Sequence, residues 1–271
     1  MEAAAVNSEG LVIPLIDFSS FLNGNPEQRK ETAKAILHGF QTAGFIYLKG
    51  LPITPQFRKH VFETSAKYFR LPTETKMSHG WTTPEANRGY SALGREKTTK
   101  LADIEEVKKL RDAVPDLKES FEIGREGEEG HPNHWPEETG ELVGFKETMT
   151  EFHTKCKELH MEVMRAIAVG LGIDESWFDK FTDEGDNTLR LLHYPEVNKE
   201  VFKVNPGQVR AGAHSDYGSI TLLFQDSSYF CNPNFKSYIA AIPGTYASEK
   251  DLKYEGINSG QYLVQRLTAT Y

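Results

Sequence analysis

Between Ala213 and Asp226 the chain reads AHSDYGSITLLFQD, and this stretch limits the possible folds more than any other. His214 and Asp216 are two residues apart, and in an extended segment alternate side chains share a face. An imidazole and a carboxylate on one face make half of a divalent-metal site. Ile220 to Phe224 follows as a strand-like apolar run. Gly212 and Gly218 bracket the pair where the backbone must turn or come close to something. The pattern predicts strands over Val209 to Asp216 and Ser219 to Gln225, carrying the half-site between them. A lone His-x-Asp is also the spacing of two ordinary surface polars, so the rest of the chain has to decide.

A length of 271 residues suits one large domain, or a core with an N-terminal extension, and 38% hydrophobic content with 16 Phe fills its interior. The formal net charge of -8 and a pI near 5.7 oppose binding to a phosphate backbone or an anionic membrane. Neither nucleic acid nor a membrane is therefore expected as a partner. Cys156 and Cys231 are the two cysteines, with no CxxC spacing, which suits a reducing compartment without disulfides or a thiolate zinc site. The first ten residues carry Glu2 and Glu9 and no basic leader, and no run reaches membrane-spanning length. A cytoplasmic location is the expectation.

Val12 to Phe18 reads as a strand. Asn25, Pro26 and Gln28 then have the order of N-cap, first helical residue and capping-box partner, with Ala33, Ile36, Leu37 and Phe40 at helical spacing and Gly44 as the stop. A strand is expected at Phe45 to Leu48 and a helix from Thr54 and Pro55, facing a core with Phe57, Val61, Tyr68 and Phe69 and ending before Pro72. From His79 to Gly140 the chain is polar and broken by Gly and Pro, so loops are expected, with the acidic run Glu126 to Glu129 in solvent. His131 and His134 lie three apart without a helical turn to hold them as ligands. Glu141 to Leu171 is the longest helix candidate, with Leu142, Phe145, Met149, Phe152, Cys156, Leu159, Val163 and Ile167 on one stripe. His153 and His160 are expected at the edge of that stripe. From Asn187 the period becomes two, placing Arg190, Leu192 and Tyr194 on one strand face.

The stretch around His214 resembles the HxD strand of the Fe(II)/2-oxoglutarate-dependent dioxygenases, in the branch containing isopenicillin N synthase. The likeness extends through IPLIDF (13–18), GFIYLKG (44–50), NRGY (87–90), DLKESFEIG (116–124), LRLLHYP (189–195) and YFCNPN (229–234). It implies an α+β fold with a double-stranded β-helix (jelly roll) of the isopenicillin N synthase type. In outline this would be a mixed α/β N-terminal region over 11–125, a supporting helix over 141–172, the jelly roll over 185–240 and a tail over 241–271. It further implies oxidation of a small organic molecule with O2, coupled to decarboxylation of 2-oxoglutarate to succinate, with Fe(II) on His214 and Asp216. The residue matching Tyr194 hydrogen-bonds the cosubstrate in relatives, and the segments of Tyr90 and Phe121 border the substrate.

Two parts of the family pattern are missing. The family holds its iron with two His and one carboxylate, yet no histidine follows His214. The R-x-S whose Arg pairs with 2-oxoglutarate is gone as well, since LLFQDS runs directly into SYFCNPN. An internal deletion that truncates the jelly roll is the expectation. With it come impaired cosubstrate binding, an unpaired edge beside Ile220 to Phe224, and an alternative reading as a non-catalytic isoform or pseudoenzyme. His193 is the nearest other histidine along the chain, but in a strand it faces away from Tyr194.

Overall fold

The computed structural model describes residues 2–6, 12–83, 85–97, 104–204, 207–224, 227–242 and 255–270. Its first elements are β1 (Glu2–Val6), β2 (Val12–Asp17), α1 (Ser19–Asn23), α2 (Pro26–Thr42), β3 (Tyr47–Lys49), α3 (Pro55–Phe69) and α4 (Thr73–Met77). The middle of the chain forms β4 (Gly89–Ser91), α5 (Ile104–Ala113), β5 (Glu119–Ile123), a 3-10 turn at Gly140–Leu142, α6 (Phe145–Leu171) and α7 (Asp179–Thr182). After these come β6 (Thr188–His193), α8 (Glu200–Val204), β7 (Ile220–Phe224), β8 (Ser227–Cys231), β9 (Tyr238–Ile239), β10 (Ile257–Asn258) and α9 (Ser259–Thr270). Two compact units result, Met1–Arg58 with Thr154–Asp183, and Lys59–His153 with Glu184–Tyr271.

In the first unit β1 pairs antiparallel with β2, and β2 pairs parallel with β3. The capping box at the start of α2 forms as its residues predict. The Asn25 side chain accepts from the Glu27 and Gln28 amides at 3.1 and 3.0 Å, and the Gln28 side chain accepts from the Asn25 amide at 2.9 Å. Phe18 and Phe21 stack with centroids 5.6 Å apart and are fully buried with Ala33 and Ile36. Gly170 lets the end of α6 meet α2 closely, since a Cβ there would lie 2.7 Å from the Ala33 carbonyl oxygen.

The second unit is built on a five-stranded antiparallel sheet in the order β4-β5-β6-β8-β7. Strand alternation divides its residues into two sets. Tyr90, Phe121, Ile123, Leu189 and Leu191 are buried on one face, where Phe121 packs 4.4 Å from Tyr68 and 6.0 Å from Phe145. Phe152 and Phe224 meet there at 5.1 Å. The other face carries Ser120, Glu122, Thr188 and Arg190, an unusually polar set for buried strands. Their charges are paired in ways described below.

Several local expectations change. Val209 to Asp216 forms no strand; the segment runs irregularly because its polar contacts are made by side chains and single backbone groups rather than by a ladder. Residues Ile104–Ala113 form a helix inside the stretch expected as loop. With Val107 as its buried apolar anchor and acidic residues in its first turn, it is mostly a solvated surface. The long helix begins at Phe145, with a 3-10 turn at Gly140–Leu142 before it. His153 and His160 are buried rather than at a boundary. The Nε2 of His153 donates to the Asn187 carbonyl at 3.2 Å, and burial lowers the His160 pKa to about 4, which keeps that ring neutral.

Candidate metal and substrate site

The polar face of the second unit's sheet borders a cavity whose lining includes Asn87, Glu122, Arg190, His214, Asp216 and Tyr217. Leu263 and Leu267 of α9 supply its apolar side. Tyr217 is placed by its edge-on contact with Tyr262 at 6.4 Å and by the Arg266 guanidinium 5.1 Å over its ring. Gly218 brings this loop against the end of β8, because a Cβ there would sit 2.2 Å from the Cys231 carbonyl oxygen. The close approach expected at that glycine is therefore real.

Although no strand carries them, His214 and Asp216 meet, with Nε2 and Oδ1 3.4 Å apart. Each is held by its other polar atom. A carbonyl oxygen only accepts, so the 2.8 Å contact between His214 Nδ1 and the Gly212 oxygen puts a proton on Nδ1; Nε2, which faces Asp216, presents a lone pair in the neutral ring and donates to the carboxylate in the charged one. The Asp216 Oδ2 accepts from the Thr221 hydroxyl at 2.5 Å, which leaves Oδ1 toward the imidazole. The hydrogen bond to Asp216 raises the His214 pKa against partial burial, and the same contact lowers that of Asp216. An imidazole nitrogen and a carboxylate oxygen with their outer atoms already bonded form the donor arrangement of a metal site. These two donors fit Fe(II). Among the described residues no group of three His, Cys, Asp or Glu that could hold a metal gathers, so His214 and Asp216 would offer two donors.

Beside the pair lies a buried ionic network. Arg190 donates to Glu96 through both terminal nitrogens at 3.1 Å, and through Nε to Glu122 at 2.6 Å. Glu122 is held further by Ser120 at 2.7 Å and by the Trp81 indole at 2.8 Å. Burial opposes the Arg190 charge, but the two carboxylates outweigh it and raise its pKa. The same pairing, with Lys118 added, holds Glu96 below its usual range despite burial.

The remaining candidates lie elsewhere. Tyr90 and Phe121 sit on the apolar face of the sheet and not at the cavity, since their neighbours Ser120 and Glu122 occupy the polar face. The Tyr90 hydroxyl instead donates to Glu119, which also accepts from Lys76 at 2.8 Å. Tyr194 falls just past the end of β6, is 42% exposed, and does not line the cavity, so strand alternation no longer governs it. His193 turns away, as its strand position predicts, and meets Glu119 at 2.7 Å over the Phe69 ring. His134 bonds the Gly80 carbonyl at 2.9 Å and makes no pair with His131. Sequence reasoning did not find Glu96, Glu122 or Asn232 at the site. Only the charged residues Lys118 and Glu122 inside a strand-forming segment hinted that one face is polar and buried.

Residues 13–138 match the family model described as non-haem dioxygenase in morphine synthesis N-terminal. The 2-oxoglutarate-dependent dioxygenase gloF of Glarea lozoyensis is 30% identical over 260 residues, covering 95% of this chain and 77% of that protein. The oxidoreductase ppzD of Metarhizium rileyi, described as of the 2-oxoglutarate-Fe(II) type, is 33% identical over 216 residues. This chain covers 60% of that ppzD's length and spans less than two thirds of several further curated relatives. The full-length thymine 7-hydroxylase of Neurospora crassa, solved with alpha-KG and thymine, superposes with a TM-score of 0.88 at 57% identity, covering 100% of both chains.

The fold is thus α+β with a core of the jelly-roll type shared with 2-oxoglutarate-Fe(II) oxygenases. The chain belongs to the Fe(II)/2-oxoglutarate-dependent dioxygenase family. Relatives named as oxygenases do not favour the non-catalytic reading, and neither they nor the superposed structures show an internal deletion or impaired cosubstrate binding.

Proposed function

We propose that the chain oxidises a small, planar, nitrogen-containing molecule of the nucleobase type, using O2 and 2-oxoglutarate, with His214 and Asp216 as its Fe(II) ligands. The carrying observation is the orientation of His214 Nε2 and Asp216 Oδ1 toward each other, with His214 Nδ1 and Asp216 Oδ2 engaged by the chain itself. Bound Fe(II) would supply the activation of O2 and the decarboxylation of the cosubstrate. His214 and Asp216, which line the cavity, would hold that ion through Nε2 and Oδ1. Leu263 and Leu267 give the lining an apolar part that disfavours water, and the Tyr217 ring offers a flat surface for a planar substrate. Support for the substrate class comes from the thymine complex of the Neurospora crassa enzyme, together with the amide-bearing side chains of Asn87 and Asn232 in the cavity wall. Arg190 is the permanent cation among the described lining residues, and two carboxylates already engage it.

Incubation of the purified chain with Fe(II), 2-oxoglutarate and thymine tests this reading. Succinate formed in step with thymine oxidation, and lost in H214A and D216A, is the expected result. Absence of succinate formation dependent on thymine or any other nucleobase, from a protein that binds the metal, would overturn it.

A further inference from the structure

The segment DLKESFEIG contains charges that neither metal ligation nor the cavity wall explains. Asp116 is its first residue and is fully buried. Its backbone amide is tied to the Glu96 carbonyl at 2.8 Å, and its carboxylate lies between Lys97 at 3.4 Å and Lys118 at 3.5 Å. A buried carboxylate between two ammonium groups is fixed in place, because moving it would leave charges uncompensated. Oδ1 of this anchored group also accepts the Gly212 amide at 3.3 Å. Gly212 in turn offers its carbonyl to His214 Nδ1.

The chemistry of imidazole gives this relay a consequence. A neutral His214 with its proton on Nδ1 bonds Gly212 and presents a lone pair at Nε2. With the proton on Nε2 the ring would donate to Asp216 Oδ1, 3.4 Å away, and remove both donor atoms from use. Which form prevails depends on where the Gly212 carbonyl stands. The Gly212 segment lies in no helix or strand that would hold it by a ladder.

We infer that Asp116 is a positioning residue for the metal half-site: through Gly212 it selects the His214 tautomer that leaves Nε2 able to bind a metal. Residues that orient a metal-bound histidine from outside the coordination sphere typically change affinity by about 10- to 100-fold when removed. Asp116 acts one link further out, and the same range sets the scale. The inference rests on the reading of His214 and Asp216 as metal ligands, but its first readout is independent of turnover and of metal.

The experiment is long-range 1H–15N NMR of the His214 ring in metal-free protein at alkaline pH, where the imidazole is neutral, followed by titration with Co(II) alone. Wild type, D116N and D116A are compared. An Nδ1-protonated ring is expected in wild type and in D116N, whose side-chain oxygen still accepts from Gly212. In folded D116A the ring should shift toward Nε2 protonation, and Co(II) binding should weaken by about 10- to 100-fold. Should D116A not fold, G212P, which removes the amide donor and leaves the buried ions alone, takes its place. A wild-type ring already protonated on Nε2 overturns the inference. So does a folded D116A or G212P with the wild-type tautomer and Co(II) affinity. If Co(II) fails to bind wild type while the tautomer responds as described, the metal reading falls and the relay stands.

Discussion

The Nε2 of His214 faces the Oδ1 of Asp216 across 3.4 Å, and neither atom is the one through which its side chain is anchored to the protein. In the metal-free protein the two therefore act as an acid-base pair, and a metal competes with the proton that they share.

That competition has a definite pH dependence. The raised pKa of His214 contributes stability that is present below its usual 6.5 and lost as pH rises through the higher folded value. The lowered pKa of Asp216 contributes stability present above its usual 3.8 and lost as pH falls through the lower folded value. The melting-temperature difference between wild type and H214Q should be largest between these limits and shrink on either side. Co(II) affinity should rise with pH across the His214 titration. A difference that is flat with pH would show that the pair does not form.

Thr221 holds the far oxygen of Asp216. Replacing it with Val keeps the branched shape suited to a strand and removes the hydroxyl. Metal affinity should fall by about 10- to 100-fold, while stability changes by only about 1 kcal/mol. Isothermal titration with Co(II), together with urea unfolding, separates the two effects.

Arg190 neutralises two buried carboxylates at once. Its replacement by Met leaves Glu96 and Glu122 short of a partner and should destabilise the second unit by about 3 to 5 kcal/mol. The loss should be partly recovered on acidification, as the stranded carboxylates take up protons. A Met variant as stable as wild type at neutral pH would mean that the network contributes no net stability.

Among the described residues strand β7 forms the end of the five-stranded sheet, and Leu223 on it is 71% exposed. An exposed apolar residue on an edge strand favours pairing with other chains. L223K should reduce concentration-dependent light scattering on heating, with little change in the onset of unfolding. Unchanged scattering would place the association surface elsewhere.

The fold and the site were not equally visible in the amino-acid order. The α2 cap was legible because Asn25, Pro26 and Gln28 act on one another within a single turn. The buried stripe of α6 was legible because one repeat carries it. That His214 and Asp216 come together was legible too, but the reason that they meet was not. Strand alternation was expected to align them, whereas Gly212 and Thr221 hold them in irregular chain. The partners of Arg190 could not be read, since Glu96 lies 94 residues away and pairs with it only through the fold. Tyr90 and Phe121 lie on the side of the sheet away from the cavity, a distinction that turns on a shift of one residue in a two-residue period. The helix at Ile104–Ala113 was hidden by its own polarity.

The most direct measurement is a Co(II) titration of wild type, H214A and D216A, followed by the visible absorption of the bound ion. Saturable one-site binding in wild type, weakened by more than about 100-fold in each variant, is the predicted result. Equal binding in all three proteins would place the metal elsewhere and contradict the account.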